Sequence, residues 1–274
     1  MRFNKISRIS SLPMAALAVS SFSQAAVLIS DHFDNVNSGS NIDGRVPAFV
    51  DSSLSGAVWD ATTANFFGNG DGGLRATSTP STNRSAGIDL GTDTFFTDNP
   101  GTYELSVTIQ NVSGTGASWV GFGFGGALDV AVNQTQTGSL GQPWMINRAN
   151  GSSVFFREGT STLGTGTATV GDLNVFTLRL NTINPTAWTL DGFINGNAVD
   201  LNSADTGSTT YTFATTPTGL RYLTMSTAYS STGETDGTNT VNTVDNLTFS
   251  AVPEPSAALL AFAGAAAGIF RRRR

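Results

Sequence analysis

The chain has 274 residues, and removal of a leader and a tail leaves about 225, enough for one sandwich-type domain. It contains no cysteine, which excludes disulfides and thiolate metal sites, so an exported fold must rest on its core or on bound ions. Between Val27 and Ala251 there are 7 arginines against 19 acidic residues, a net charge of −12 where the full chain has −6. Such a surface repels phosphate backbones and disfavours nucleic acid.

Residues 1–25 read as a secretory signal peptide with a signal helix. Arg2, Lys5 and Arg8 form a basic start, Leu12 to Val19 is a short apolar run, and Ser23-Gln24-Ala25 places small residues before a cut after Ala25. Residues 26–251 read as the body. Gly, Ser, Thr and Asn are abundant there and Lys and Glu scarce, which favours strands joined by turns. Tyr103, Leu105, Val107 and Ile109 alternate with polar residues, the mark of a half-buried strand. In Ser118 to Phe124, Gly121 and Gly123 share a face with Trp119, leaving room for a close neighbour. Val175 to Leu180 alternates again. Ala187 to Ile194 runs into Asn195-Gly196, the strongest short hairpin signal, and on to Ala198-Val199. Leu220 to Tyr229 and Val241 to Phe249 complete the strong set. Weaker strands are expected at Val27 to Ile29, Gly73 to Ala76, Ala86 to Leu90, Trp144 to Arg148 and Val154 to Arg157. No segment of the body carries an apolar stripe at helical spacing. The expectation is an all-β fold, a single antiparallel β-sandwich of the jelly-roll kind.

Residues 252–274 have three parts with different physics. Pro253-Glu254-Pro255 forbids helix or central strand and leaves the body extended. Ala257 to Phe270 is apolar but shorter than the roughly 20 residues of a full spanning helix. Arg271, Arg272, Arg273 and Arg274 hold the end on the cytoplasmic side. This tail closely resembles the PEP-CTERM sorting signal of Gram-negative bacteria. The resemblance implies a short transmembrane helix and a pause in the inner membrane. It also implies cleavage near the tripeptide by an exosortase-type membrane protease, then release to the cell surface or an exopolysaccharide-rich matrix. The same module also goes by the description of an ice-binding protein C-terminal domain.

A looser resemblance lies in the body. Phe176-Thr-Leu-Arg-Leu-Asn181 followed by Trp188-Thr-Leu-Asp-Gly-Phe-Ile-Asn-Gly-Asn-Ala-Val199 is similar to the central hairpin of concanavalin A-like (laminin G-like) jelly rolls. Asp31-His-Phe-Asp34 and Thr243-Val-Asp-Asn-Leu-Thr-Phe249 fit the same pattern, in which first and last strands pair.

Chemistry is sparse. The one histidine, His32, follows the leader, and no Gly-x-Ser-x-Gly elbow is present, so a serine triad is not credible. A glycosidase needs two carboxylates on rigid elements, and Glu104, Glu158 and Glu234 lack such a partner on a strand. The protein is therefore expected not to be an enzyme. Hard cations take carboxylate oxygens, so calcium is a candidate cofactor where Asp31, Asp34 and Asp245 converge; Asx turns are the plainer reading of these residues. Trp144, after Gly141-Gln142-Pro143, is the better exposed candidate for a sugar platform, with core packing the plainer reading. The reading is an exported surface or matrix protein, with extracellular polysaccharide as the partner of any binding. A carbohydrate hydrolase on the same fold is the alternative. Ice binding is another, with Thr165-Gly-Thr167-Ala-Thr169 as its one threonine row.

Overall fold

The computed structural model describes residues 25–37, 39–61, 66–68, 72–76, 84–110, 118–130, 142–205, 207–228 and 243–253. In chain order the strands are β1 (Ala26–Asp31), β2 (Phe49–Val50), β3 (Trp59–Ala61), β4 (Phe66–Gly68), β5 (Leu74–Ala76) and β6 (Arg84–Asp89). Then follow β7 (Thr102–Gln110), β8 (Trp119–Gly125), β9 (Trp144–Arg148), β10 (Ser152–Phe156), β11 (Thr162–Thr167) and β12 (Leu173–Asn181). The last are β13 (Thr189–Ile194), β14 (Asn197–Val199), β15 (Tyr211–Thr212), β16 (Tyr222–Ala228) and β17 (Thr243–Val252). Among the described residues, one short helix, α1 (Phe95–Asp98), and one 3₁₀ turn, Ser52–Leu54, interrupt them.

The strands form two antiparallel sheets. The first has the order β14-β13-β12-β7-β17-β1-β2, with β15 beside β13 and β5 carrying β4 beside β17. The second runs β11-β10-β9-β8-β16-β6-β3. The all-β sandwich expected from alternation is the fold observed. Among the described residues no helix is long and apolar enough to cross a membrane. The expected signal helix and the apolar run Ala257–Phe270 lie outside the described residues, as does Glu234.

The inward faces follow the period-2 pattern. Leu105, Val107, Ile109, Phe176, Leu178, Leu180, Leu247 and Phe249 from the first sheet meet Val120, Phe122, Phe124, Met145, Phe155, Leu223 and Met225 from the second. The first and last strands pair, with Ala26 opposite Ala251 and Ile29 opposite Phe249. β17 also pairs with β7 on its other side, so it is an interior strand. Its apolar set changes phase, from Val244 to Leu247 and Phe249. A β-bulge between Val244 and Asn246 absorbs the odd spacing and takes Asp245 out of the ladder. β17 stops at Val252 because Pro253 has no N–H to give the ladder. At the predicted hairpin, Asn195 and Gly196 take φ of 52° and 77°, the left-handed values a two-residue turn requires. Asn195 secures it further: its side-chain oxygen accepts from Val175 N at 2.8 Å.

The outer faces differ. The first sheet shows solvent a rank of small hydroxyls, Ser30, Thr248, Ser106 and Thr177, on four neighbouring strands. The second carries an outer apolar cluster of Trp119, Trp144, Ile146 and Phe156. Gly123 makes this possible: a Cβ there would lie 2.3 Å from Pro143 O and 2.6 Å from Trp144 Cβ. The expected close neighbour of the glycine face is therefore β9.

Candidate functional site

A concavity lies where the end of β10 meets β15 of the other sheet. Its volume is about 310 Å³, and Gln142, Arg157, Glu158, Tyr211, Thr216 and Pro217 are among its lining residues. Arg157 and Glu158 sit on the turn that joins β10 to β11. Arg157 N donates to Ser161 O at 2.9 Å, and Ser161 N donates to Glu158 O at 2.9 Å, which closes that turn. The Tyr211 ring stands edge-on to Phe213 at 5.1 Å, and both line the cleft.

Trp144 sets the position of the turn. It opens β9 opposite Phe156, and the two rings stack at 4.0 Å and 8°. Its indole Nε1 donates to Gly159 O at 2.8 Å, in the middle of the Arg157–Ser161 turn. The ring is fully buried. This corrects the platform assignment and agrees with the core reading: the Gly-Gln-Pro approach reads as a loop, but pairing with β10 and the room left by Gly123 pull the indole under the turn. Trp144 is a strut of the cleft, not its floor. Trp119 and Trp188 are buried as well.

The electrostatics of the cleft centre on Arg157. Its Nη2 stands 3.5 Å from Glu158 Oε1, with both side chains about half exposed. Its Nη1 stands 3.5 Å from the Tyr211 hydroxyl, at the outer limit of a hydrogen bond. Its Nε is buried without a partner. The Tyr211 hydroxyl, and after it Glu158, push the guanidinium above its ordinary value, so it is always charged. Among the described residues lining the cleft, Glu158 is the one carboxylate. Sequence reading missed this site because its two halves lie more than fifty residues apart and neither carries a motif. The Arg157-Glu158 pair beside a strand end was the only local signal.

The three carboxylates expected to share calcium do not converge. Asp31 is buried and committed: it pairs with Arg45, accepts from Trp59 Nε1 at 2.7 Å, and accepts from Phe33 N at 3.2 Å. That last bond holds Phe33 in the left-handed region at φ 57°, unusual for a bulky residue. Arg45 also lies 5.9 Å from the Phe33 ring. Asp31 faces inward because β1 alternates, and an inward carboxylate must find partners. Asp34 and Asp245 do come near one another. Partial burial, and then the charge of Asp34, push the Asp245 carboxyl above its ordinary value. His32 Nδ1 meets Asn246 Oδ1, tying the same two segments. Among the described residues no group of three or more His, Asp or Glu is placed to hold a metal ion. Thr165 and Thr167 lie exposed on the edge strand β11. Thr169 falls beyond its end.

Pro253 follows β17 directly, while Glu254, Pro255 and Arg271 to Arg274 lie outside the described residues. Residues 251–274 match the model of the PEP-CTERM protein-sorting motif. The chain carries a PEP-CTERM sorting signal. That signal begins on the last paired residues of β17, so the sorting motif and the fold share Ala251 and Val252. No curated protein matches the chain in sequence. Among solved structures, the chain is similar to the carbohydrate recognition domain of Emp47p at 10% identity, with 85% of this chain and 100% of that one covered and a TM-score of 0.47. It is similar to a protein of unknown function with a galectin-like fold from Bacillus subtilis at 9% identity, 85% and 100% coverage and a TM-score of 0.46. A protein of unknown function from Shewanella oneidensis MR-1 gives 12%, 85% and 89%, and 0.44.

Proposed function

We propose that this is an exported surface or matrix protein, processed by an exosortase-type membrane protease, whose sandwich binds extracellular polysaccharide without turning it over. The observation that carries the binding half is the Arg157–Tyr211 cleft. It joins a charged donor, an acceptor in Glu158, an amide in Gln142 and an aromatic wall within a volume at the lower end of small-molecule pockets. One carboxylate supplies an acceptor but not the acid–nucleophile pair that glycoside cleavage needs. A glycan screen on the full chain, read for binding and for reducing-end release, tests it. Binding without release is expected; release of reducing ends abolished by Glu158→Gln would make the protein a hydrolase.

The sorting half rests on the tail. Changing Pro253-Glu254-Pro255 to three alanines should leave export intact and trap the full-length chain in the inner membrane. Mass spectrometry of the surface fraction should find no Ala257–Arg274 peptide. That peptide still attached to the surface protein would make the tail a plain anchor. Calcium enters this reading only at Asp34 and Asp245, whose repulsion a divalent cation would relieve. A melting scan with calcium against chelator decides: a higher Tm with calcium supports the ion, and an unchanged Tm removes it.

A further inference from the structure

The described arginines are not used alike. Arg221 forks onto Asp89 with bonds of 2.8 and 2.7 Å. Arg179 grips Glu104 through Nε at 2.7 Å and Nη2 at 2.5 Å. Arg45 is taken up by buried Asp31. Arg157 alone among these ion pairs has only loose contacts, 3.5 Å to a half-exposed carboxylate and 3.5 Å to the Tyr211 hydroxyl, with a buried Nε that meets nothing. It is also the arginine that lines the cleft. A guanidinium is a planar fork of donors, and the group that satisfies it best is a planar carboxylate bound through two parallel N–H···O bonds. Tyr211 stands beside it with a half-buried ring braced by Phe213, a surface suited to the apolar face of a sugar.

We propose that the cleft takes a carboxylate-bearing sugar, a uronate unit of an extracellular polysaccharide, with its carboxylate on Arg157 and its ring against Tyr211. This rests on the polysaccharide reading above and names the substrate class of that same site. The acidic body does not forbid it. Repulsion between exposed charges is largely screened beyond about 8 Å at physiological salt, so the contact is decided by what lies next to the carboxylate. Next to it are Arg157 and its weak competitor Glu158. An incoming carboxylate replaces one 3.5 Å contact with two short ones, and Glu158 then swings to solvent, where half of it already stands.

The test is calorimetry on the full chain in detergent with four probes: oligogalacturonate, its methyl ester, a sulfated oligosaccharide and a neutral glucan oligomer. Oligogalacturonate should bind, and esterification should weaken it by about ten-fold or more, the worth of a charge-assisted hydrogen-bond pair. Arg157→Gln should produce the same loss with an unchanged melting temperature, and Glu158→Gln should tighten binding. Equal affinity for the acid and its ester, or undiminished binding by Arg157→Gln, overturns the uronate assignment and leaves polysaccharide binding standing. Equal or tighter binding of the sulfated probe moves the assignment from carboxylate to sulfate. No binding of any probe overturns both the assignment and the reading it rests on.

Discussion

Two places in this sandwich contain the same three groups, an arginine, a carboxylate and an aromatic ring, and use them in opposite ways. At the start of the chain Asp31, Arg45 and Trp59 are closed on one another, the carboxylate buried and satisfied by two side chains and a backbone N–H. In the cleft Glu158, Arg157 and Tyr211 stand apart, with 3.5 Å on either side of the guanidinium. The difference follows from position. Asp31 lies on the inward parity of β1, where an unpaired charge would cost several kcal/mol, so the fold is built to satisfy it. Glu158 lies on a turn in water, where pairing gains little and the arginine stays available.

The sharpest way to break this comparison is at Arg45. Arg45→Met should leave the Asp31 carboxylate buried without its counter-charge and cost about 3–5 kcal/mol, read by urea unfolding. A loss below about 1 kcal/mol would mean that Trp59 and Phe33 N satisfy Asp31 by themselves. Next comes Trp144→Leu. It removes the stack on Phe156 and the bond to Gly159 O, and should cost about 2–4 kcal/mol. It should also weaken glycan binding, though Trp144 does not line the cleft, because it holds the turn that does. Unchanged binding alongside the stability loss would free the turn from that strut. Arg157→Gln, by contrast, should stay within about 0.5 kcal/mol of the parent in stability, as for an exposed site.

The smaller effects depend on pH. Arg221 beside Asp89 holds that carboxyl below its ordinary value, so the pair's stability is present above pH 3.8 and is lost as pH falls through the lower folded value. Both side chains are 39% exposed, so Asp89→Asn should cost no more than about 0.2–1 kcal/mol at neutral pH and nothing in strong acid. Asp245 has the opposite sign. Its carboxyl is pushed up, so its favourable contribution is present below pH 3.8 and is lost as pH rises through the raised folded value. Asp245→Asn should therefore stabilise the protein slightly at pH 7, by no more than about 0.5 kcal/mol, with the gain gone below pH 3.8. A destabilised Asp245→Asn at pH 7 would show that the carboxylate has a favourable partner.

Much of the fold was legible because strands with one wet face write their period into the sequence. Thr102 to Gln110, Leu173 to Asn181 and the Asn195-Gly196 turn were readable that way. The bulge at Asp245 was legible in principle, since Val244 and Leu247 are spaced by three and cannot share a face without one. The short pieces β2, β4 and β15 were not, because two or three residues carry no period. β11 was read as a threonine row rather than a strand: its inward positions are Gly164 and Gly166, which leave no apolar signal.

The sequence by itself determined the class of the body and the sorting tail. These depend on local physics: alternation, turn residues, a proline that stops β17, and an apolar run closed by arginines. Only the tertiary structure decided the partners. It put Asp31 against Arg45 and Trp59, buried Trp144 beneath the turn at Gly159, and brought Tyr211 across to Arg157 from the other sheet. Contacts between residues so far apart in the chain are fixed by which strands pair and which faces pack, and a side chain's identity does not record what the other sheet will place beside it.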